Sequence, residues 1–318
     1  SNRKTYNYYT YENEVDNYNQ NFYQLFYDYN ITSFLKLNTA AYVTTGKGYF
    51  EQYKVGETLS KYGIDSIHPS GDTALSGDLV RRRWLDNVFS GALISANYRK
   101  NKLDITLGGG YSNYKGRHFG EAISTQFTDY EAINSIYYDN DAIKGDGNFF
   151  TKISYNFKNL IPYIDLQYRF INYEFEGLNN QSELSPQTVD FGFFNPKIGL
   201  TYLRKNHTFY SVFARGNREP VRDDFKTFVP NEWKRPEQLN NIELGYRYAK
   251  GRTQIGANIY NMDYTDQLVL TGALNDVGEA IRTNVASSYR RGLELDFQVP
   301  LTQKLQIGGN TTFSENKI

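Results

Sequence analysis

The chain has 318 residues, and its 35 Lys and Arg residues balance 35 Asp and Glu residues, so the formal net charge at pH 7 is zero. This balance argues against a general nucleic-acid-binding protein, which carries a basic excess. The chain contains no cysteine and only three widely separated histidines. Disulfides, thiolate catalysis and Cys-ligated metal are therefore excluded, and no metal site is predicted.

The predicted elements are β-strands, indicated by runs in which apolar and polar residues alternate. The alternation is most regular over 160–176, where Ile, Leu, Tyr and Phe alternate with Asp, Gln and Arg. About twelve strands are predicted. They cover residues 18–29, 34–53, 83–99, 102–117, 147–158, 160–176, 193–204 and 207–217, the two arms of the hairpin 242–264, and residues 288–299 and 304–316.

The hairpin 242–264, with a predicted short turn at 249–252 in which Gly251 is free to adopt a positive φ, guides the choice of architecture. Its apolar residues stand on one face, whereas Glu243, Arg247, Gln254 and Asn258 share the opposite face. Such polar side chains facing a soluble core would cost free energy unless they were paired. A transmembrane barrel, with apolar side chains in lipid and polar ones lining a wet lumen, avoids that cost.

The connections between the predicted strands alternate between short turns and long loops. The predicted long loops cover residues 54–82, 118–145, 177–191, 218–236 and 271–286. In an antiparallel up-and-down barrel this places every short turn at one rim and every long loop at the other, as in bacterial outer-membrane barrels. No stretch approaches the roughly 18 consecutive apolar residues of a transmembrane helix. The predicted fold class is therefore all-β, a transmembrane barrel segment.

Aromatic residues are unusually frequent, at 16% of the chain with 29 Tyr and 21 Phe. Tyrosine suits a membrane–water interface, which accommodates both its apolar ring and its wet hydroxyl. An aromatic precedes each short turn, and we interpret these residues as a periplasmic aromatic girdle. The alternative is that aromatics are simply favourable strand residues. The six residues are Tyr29, Tyr98, Phe157, Tyr202, Tyr248 and Phe297.

Five short motifs resemble, in their order and spacing, the late barrel of TonB-dependent outer-membrane receptors, particularly those of the Bacteroidetes type. They are ARGNREP at 214–220, RPE at 235–237, NIELGY at 241–246, IYNMDYTDQL at 259–268 and YRRGLEL at 289–295. The residues before this region resemble the family by architecture more than by motif.

The resemblance implies a 22-stranded barrel around an N-terminal plug domain. Because about twelve strands and no plug are recognisable, we expect residues 1–318 to be an internal barrel segment that lacks the plug and the last strands. The implied function is active uptake of a scarce nutrient complex, most commonly a ferric siderophore, across the bacterial outer membrane with energy from the TonB system. Outer-membrane lipid would surround the barrel, and neither enzymatic activity nor a cofactor is expected.

Two groups of residues are candidate ligand contacts near the external loops. Three consecutive arginines stand at a predicted loop-to-strand junction, where they could bind siderophore anions or lipopolysaccharide phosphates bidentately. One His and two Tyr lie in the predicted loop 118–145, where rings could stack on a planar ligand. A solvated charged rim and an external aromatic girdle are the alternative interpretations. The candidates are Arg81, Arg82, Arg83, His118, Tyr137 and Tyr138.

Two alternative functions stay open from the sequence. A passive porin or a structural or adhesion barrel would show the same strand pattern. A soluble all-β ligand-binding protein, such as a propeller, would instead expose its polar faces and bury the opposite faces against a second layer. A truncated barrel has two edge strands, so we also expect it to pair with another copy of itself or to close into a smaller barrel.

Overall fold

The computed structural model describes residues 10–64, 74–127, 135–178, 184–221, 224–225, 234–274 and 280–318. These ranges contain one short 3-10 helix, Leu59–Tyr62, and no helix among them is long and apolar enough to cross a membrane. The strands are β1 (Asp16–Thr32), β2 (Leu35–Thr58), β3 (Ser76–Lys100), β4 (Leu103–Thr125), β5 (Ser135–Tyr155), β6 (Leu160–Leu178), β7 (Leu184–Arg204), β8 (His207–Arg218), β9 (Glu237–Lys250), β10 (Thr253–Leu274), β11 (Ala280–Pro300) and β12 (Gln306–Lys317).

All twelve strands form one antiparallel sheet, in which each strand pairs with its neighbours in sequence. This up-and-down order confirms the predicted fold class and strand number. Among the described residues, β1 pairs only with β2 and β12 only with β11, so both are edge strands. The described sheet is therefore open, and the expectation that the chain closes into a smaller barrel is wrong for this structure.

The sheet has an apolar face and a polar face because successive side chains of a strand point to opposite sides. The polar face carries residues such as Asn148 and Arg169, which pair directly between β5 and β6. The apolar face contains, across β1 to β6, the paired row Leu25, Ala41, Ala92, Tyr111, Gly147 and Phe170. Many apolar-face side chains are at least half exposed, among them Leu25, Ile94, Leu107, Phe149, Ile198, Leu244 and Ile259. The soluble alternative required this face to be buried, so the structure contradicts it.

The short connections gather at one end of the sheet, and four of them contain a left-handed residue. Asn101, Lys158, Lys205 and Gly251 have φ angles between 54° and 57°. Glycine adopts this region without steric cost, whereas a residue with a Cβ loses about 1–2 kcal/mol there. The predicted turn at Gly251 is confirmed.

At the opposite end the strands are longer than the sequence predicted. The ends of β2 to β5 extend into the predicted loops 54–82 and 118–145, which are correspondingly too long. Polar contacts between the strands stabilise these extensions, as where the backbone amide of Gly56 in β2 donates to Asp78 Oδ1 of β3 at 2.8 Å. Charged residues on both faces conceal the apolar–polar alternation there, and this is why the pattern missed the strand ends.

Candidate functional site

The long-loop ends of β2 to β5 bring several predicted ligand contacts together on the polar face. Arg81 donates hydrogen bonds from Nε and Nη2 to Gln52 Oε1, at 3.2 and 2.9 Å, and from Nη1 to Tyr62 Oη at 3.2 Å. Gln52 belongs to β2, and Tyr62 is a buried residue of the 3-10 helix. The helix therefore folds over the strand ends and fixes the direction of the Arg81 side chain.

Arg83 reaches across β4 to a tyrosine of β5. Its Nε donates to Tyr138 Oη at 3.1 Å, and its guanidinium carbon lies 5.7 Å from the Tyr138 ring centroid and 5.5 Å from that of Phe50. Gly120 pairs with both Arg83 and Tyr138. A Cβ at Gly120 would lie only 2.3 Å from Tyr138 Cε1, so the contact between the arginine and the tyrosine depends on this glycine.

Tyr137 completes the group at an irregularity where the register between β4 and β5 shifts. Its ring centroid lies 4.7 Å from that of Tyr62 and 4.9 Å from that of Tyr138. The Tyr137 hydroxyl is buried and has no hydrogen-bond partner among the described residues, which is unusual for a native polar group. We refer to Arg81, Arg83, Tyr62, Tyr137 and Tyr138 as the arginine–tyrosine cluster.

Arg82 lies on the opposite, apolar-face side. Its Nε is 2.7 Å from Glu51 Oε2, and the Glu51 side chain is only 1% exposed. Tyr11 and Asn13 each donate to Glu51 Oε1 at 2.6 Å. Burial, followed by the hydrogen bond to Glu51, raises the pKa of Tyr11 to about 12. Residues 81–83 lie within β3 rather than at a loop-to-strand junction, so the predicted grouping of all three arginines in one site is wrong.

His118, Tyr137 and Tyr138 also lie in strands, so their predicted location in a long loop is wrong. His118 belongs to β4, pairs with Asn140 of β5, and has its Nε2 atom 3.5 Å from Tyr114 Oη. The polar character of these strand ends concealed them, as described above. In the described part of the chain, no three His, Asp or Glu side chains are placed to hold a metal ion.

The residues of the predicted girdle lie near the short-turn end. Tyr29, Tyr98, Tyr202, Tyr248 and Phe297 stand two or three residues before the end of their strands and share the apolar face. Phe157 follows the end of β5 and forms an isolated bridge with Leu160, so it does not close a strand as predicted. Their role as a membrane-interface girdle stays a prediction.

A second polar-face cluster was not predicted as a site. Arg169 of β6 donates to both carboxylate oxygens of Glu219, each at 2.9 Å, and from Nη2 to Asp146 Oδ2 at 2.6 Å. Lys144 Nζ lies 3.0 Å from Glu219 Oε1. The two cations and two carboxylates are mutually neutralised. The only sequence signal for this cluster was the place of Glu219 in the ARGNREP motif.

This cluster anchors the connection that follows β8. Although burial raises the pKa of the Glu219 carboxyl, hydrogen bonds from Arg169 and Lys144 outweigh that effect and lower the pKa to about 2. Phe225 is buried against Ala142 of β5 and Phe175 of β6. Glu219 and Phe225, which follow β8, are thus held against the polar face, the first by an ion cluster and the second by an apolar contact.

The arginine–tyrosine cluster has the chemistry to bind an anion that carries aromatic rings. Arg81 is hydrogen-bonded to the neutral groups of Gln52 and Tyr62, which do not cancel its charge. Guanidinium groups bind oxyanions with paired hydrogen bonds, and the adjacent tyrosine rings offer stacking surfaces and favourable contacts with cations. In the Arg169 cluster, by contrast, Arg169 is bonded directly to the carboxylates of Asp146 and Glu219.

The family model described as "TonB dependent receptor-like, beta-barrel" matches residues 1–318. The chain belongs to this family. Receptors of the family are transporters rather than enzymes, and their barrels lie in the bacterial outer membrane, as the sequence led us to expect. In an outer-membrane barrel the apolar face is the lipid-facing wall and the polar face lines the interior.

Solved structures similar to this TonB-dependent receptor barrel are about twice its length. The copper transporter OprC superposes with a TM-score of 0.71 at 14% identity, covering 94% of this chain and 46% of its own. The siderophore receptor PiuA from Acinetobacter baumannii superposes with a TM-score of 0.64 at 14% identity, covering 95% of this chain and 48% of its own. The ferric-catecholate import receptor Fiu from E. coli K12 superposes with a TM-score of 0.59 at 11% identity, covering 98% of this chain and 49% of its own. These identities establish the shared fold alone. A comparison with curated proteins found no match.

Proposed function

We propose that this chain forms part of the wall of an active transport receptor that takes up a ferric siderophore, with energy from the TonB system. Family membership supports a transport role. Two structural neighbours are described as a ferric-catecholate import receptor and a siderophore receptor. The proposal has three further parts. The receptor is of the Bacteroidetes type, its whole barrel has 22 strands, and a separate plug domain transmits the force from TonB.

The arginine–tyrosine cluster is the observation that carries the choice of ligand. A ferric catecholate is an anion with aromatic rings, so it matches both the guanidinium groups of Arg81 and Arg83 and the rings beside them. The cluster lies on the polar face at the long-loop end. A ligand that enters from the loops would therefore meet the cluster early on its path.

The proposed function is tested by measuring uptake in cells that carry or lack the gene for this chain. Labelled ferric catecholate, haem, cobalamin and an oligosaccharide are each supplied with and without a protonophore. We expect gene-dependent uptake of the ferric catecholate that stops when the proton gradient is removed.

Other outcomes of this experiment would contradict particular parts of the proposal. Uptake that depends on the gene but not on the proton gradient would identify a passive pore. Energy-dependent uptake of a different compound would keep the transport role and remove the siderophore. Equal uptake by both strains for every compound would contradict the transport role itself.

A further inference from the structure

The lipid-facing wall of the sheet contains a groove with a floor of small residues. Its volume is about 590 Å³. Thr39, Ala41, Ala92 and Gly109 form the floor on β2, β3 and β4. Larger side chains from β1, β3, β4, β5 and β6 stand around this floor, namely Leu25, Tyr27, Ile94, Tyr111, Phe149 and Phe170.

The groove continues along β2 and β3 toward the long-loop end. A second depression of about 610 Å³ shares Leu25, Ala41, Ala92 and Tyr111 with the first. Its floor extends to Val43 and Ser90. The combined channel follows the strands, which gives it the elongated shape of a hydrocarbon chain rather than that of a compact ligand.

The aromatic wall of the groove is held in place by its own packing. The ring centroid of Phe170 lies 6.4 Å from that of Tyr111 and 6.0 Å from that of Phe149. A Cβ at Gly147 would lie 2.1 Å from Phe170 Cζ, so the Phe170 ring rests directly over this glycine. These rings stand beside the groove and leave its floor uncovered.

The long-loop end of the groove becomes polar and carries a cation. Ser90 and Asn113 line the second depression, and Lys115 follows two residues after Asn113 on the same face of β4. The Lys115 side chain is exposed and has no ion-pair partner among the described residues. Lys47, two pairing rows further along on the same face, is instead bonded to Asp86 at 2.8 Å. The uncompensated charge therefore lies where the apolar groove ends.

We propose that this groove binds one acyl chain of an outer-membrane lipid whose phosphate-bearing headgroup contacts Lys115. The apolar floor and walls match the chain, and the cation at the polar end matches an anionic headgroup. An amphiphile in a membrane has the same arrangement, with its hydrocarbon in the bilayer and its phosphate at the surface. The proposal concerns the outer wall and is independent of the ligand carried through the interior.

The test uses the receptor that contains this chain, reconstituted in phosphatidylglycerol vesicles, extracted in mild detergent and analysed by native mass spectrometry. We expect one retained phosphatidylglycerol per chain. Ala92→Phe fills the groove and should lower the occupancy at least about tenfold, the equivalent of about 1.4 kcal/mol. Lys115→Gln should lower it about fivefold, and dioleoylglycerol, which lacks the phosphate, should bind equally to wild type and this variant.

Ala96→Phe is the matched control because Ala96 is also on the apolar face of β3, paired with Leu37 and Leu107 outside the groove. If Ala92→Phe and Ala96→Phe lower the lipid occupancy equally, or if neither lowers it, the retained lipid belongs to a non-specific annulus and the proposal is overturned. Displacement of the lipid by inorganic phosphate would show that the headgroup, and not the acyl chain in the groove, makes the main contact, and it would overturn the proposal. Heat-modifiable gel migration checks folding, and Ala41→Leu replaces Ala92→Phe if that variant does not fold.

Discussion

The guanidinium of Arg169 holds the carboxylate of Glu219 through two hydrogen bonds of 2.9 Å, although the two residues are 50 positions apart in the chain. Arg169 lies in β6, whereas Glu219 follows β8, so the bond spans the intervening β7. It fixes the start of the connection between β8 and β9 against the polar face. The bidentate geometry adds direction as well as charge to this anchor.

Replacing Glu219 with Gln should destabilise the sheet because Arg169 and Lys144 would lose their shared carboxylate. Breaking a buried ion pair from one side costs on the order of 3 kcal/mol. The measurement is the free energy of urea unfolding in lipid vesicles. Asp296→Asn serves as the control, since Asp296 pairs with Arg247 at 3.4 Å with both side chains about half exposed, and it should cost less than about 1 kcal/mol. Equal losses for the two variants would show that the Glu219 anchor is not special.

The stabilising effect of Glu219 should disappear in acid. Its pKa is about 2 in the folded chain, below the ordinary glutamate value of about 4.3. The lowered pKa therefore adds stability that is fully present above about pH 4.3 and is lost as the pH falls toward 2. Unfolding of wild type and Glu219→Gln at a series of pH values should show a difference that narrows over this window. A difference that stays constant down to pH 2 would mean that the carboxylate charge is not responsible.

Arg83 should contribute directly to ligand capture. Arg83→Gln removes a charge-assisted contact, which is worth roughly 1.5–3 kcal/mol, so half-maximal uptake of a ferric catecholate should need at least about tenfold more ligand. Tyr138→Phe removes only the hydroxyl that accepts from Arg83 Nε and should have a smaller effect. Arg99→Gln, an exposed arginine at the short-turn end of the same strand, is the charge control. An effect of Arg99→Gln as large as that of Arg83→Gln would point to general electrostatics instead.

The edge strands should make the isolated chain self-associate. β1 and β12 each present an unpaired row of backbone groups, which is a template for pairing with a second copy. Because the chain has no cysteine, a variant with Tyr23→Cys in β1 and Phe313→Cys in β12 should form disulfide-linked oligomers on oxidation in detergent. Ala214→Cys in the interior strand β8 should not. A chain that remains a monomer without detergent would contradict the edge-pairing prediction.

The strand order and the two faces of the sheet could be predicted from local pattern. The alternation around Tyr168 and Arg169 reports which side each residue faces because the strand repeat is two residues. The tight turn at Gly251 was equally local, since only its own backbone angle was needed. The strand ends were missed where charges such as Arg82 and Asp139 replaced apolar residues on the apolar-face side.

The candidate site was predicted by residue type but not by arrangement. Arg81 and Arg83 share the polar face with Tyr138, whereas the adjacent Arg82 turns away to Glu51. Adjacent side chains of a strand point to opposite faces, so Arg82 cannot face the same ligand as Arg81 and Arg83. The prediction that these residues lie at a loop-to-strand junction did not include this constraint.

Contacts between distant residues could not be derived from the chain alone. The bond between Arg169 and Glu219 requires both the registers of three strands and the return of a connection onto the polar face. A short window of sequence specifies neither the strand registers nor the path of that connection. Apolar–polar alternation is a local property of the strand repeat, and it was sufficient for the fold. Charge partners are chosen by proximity in space, and they emerged only from the folded sheet.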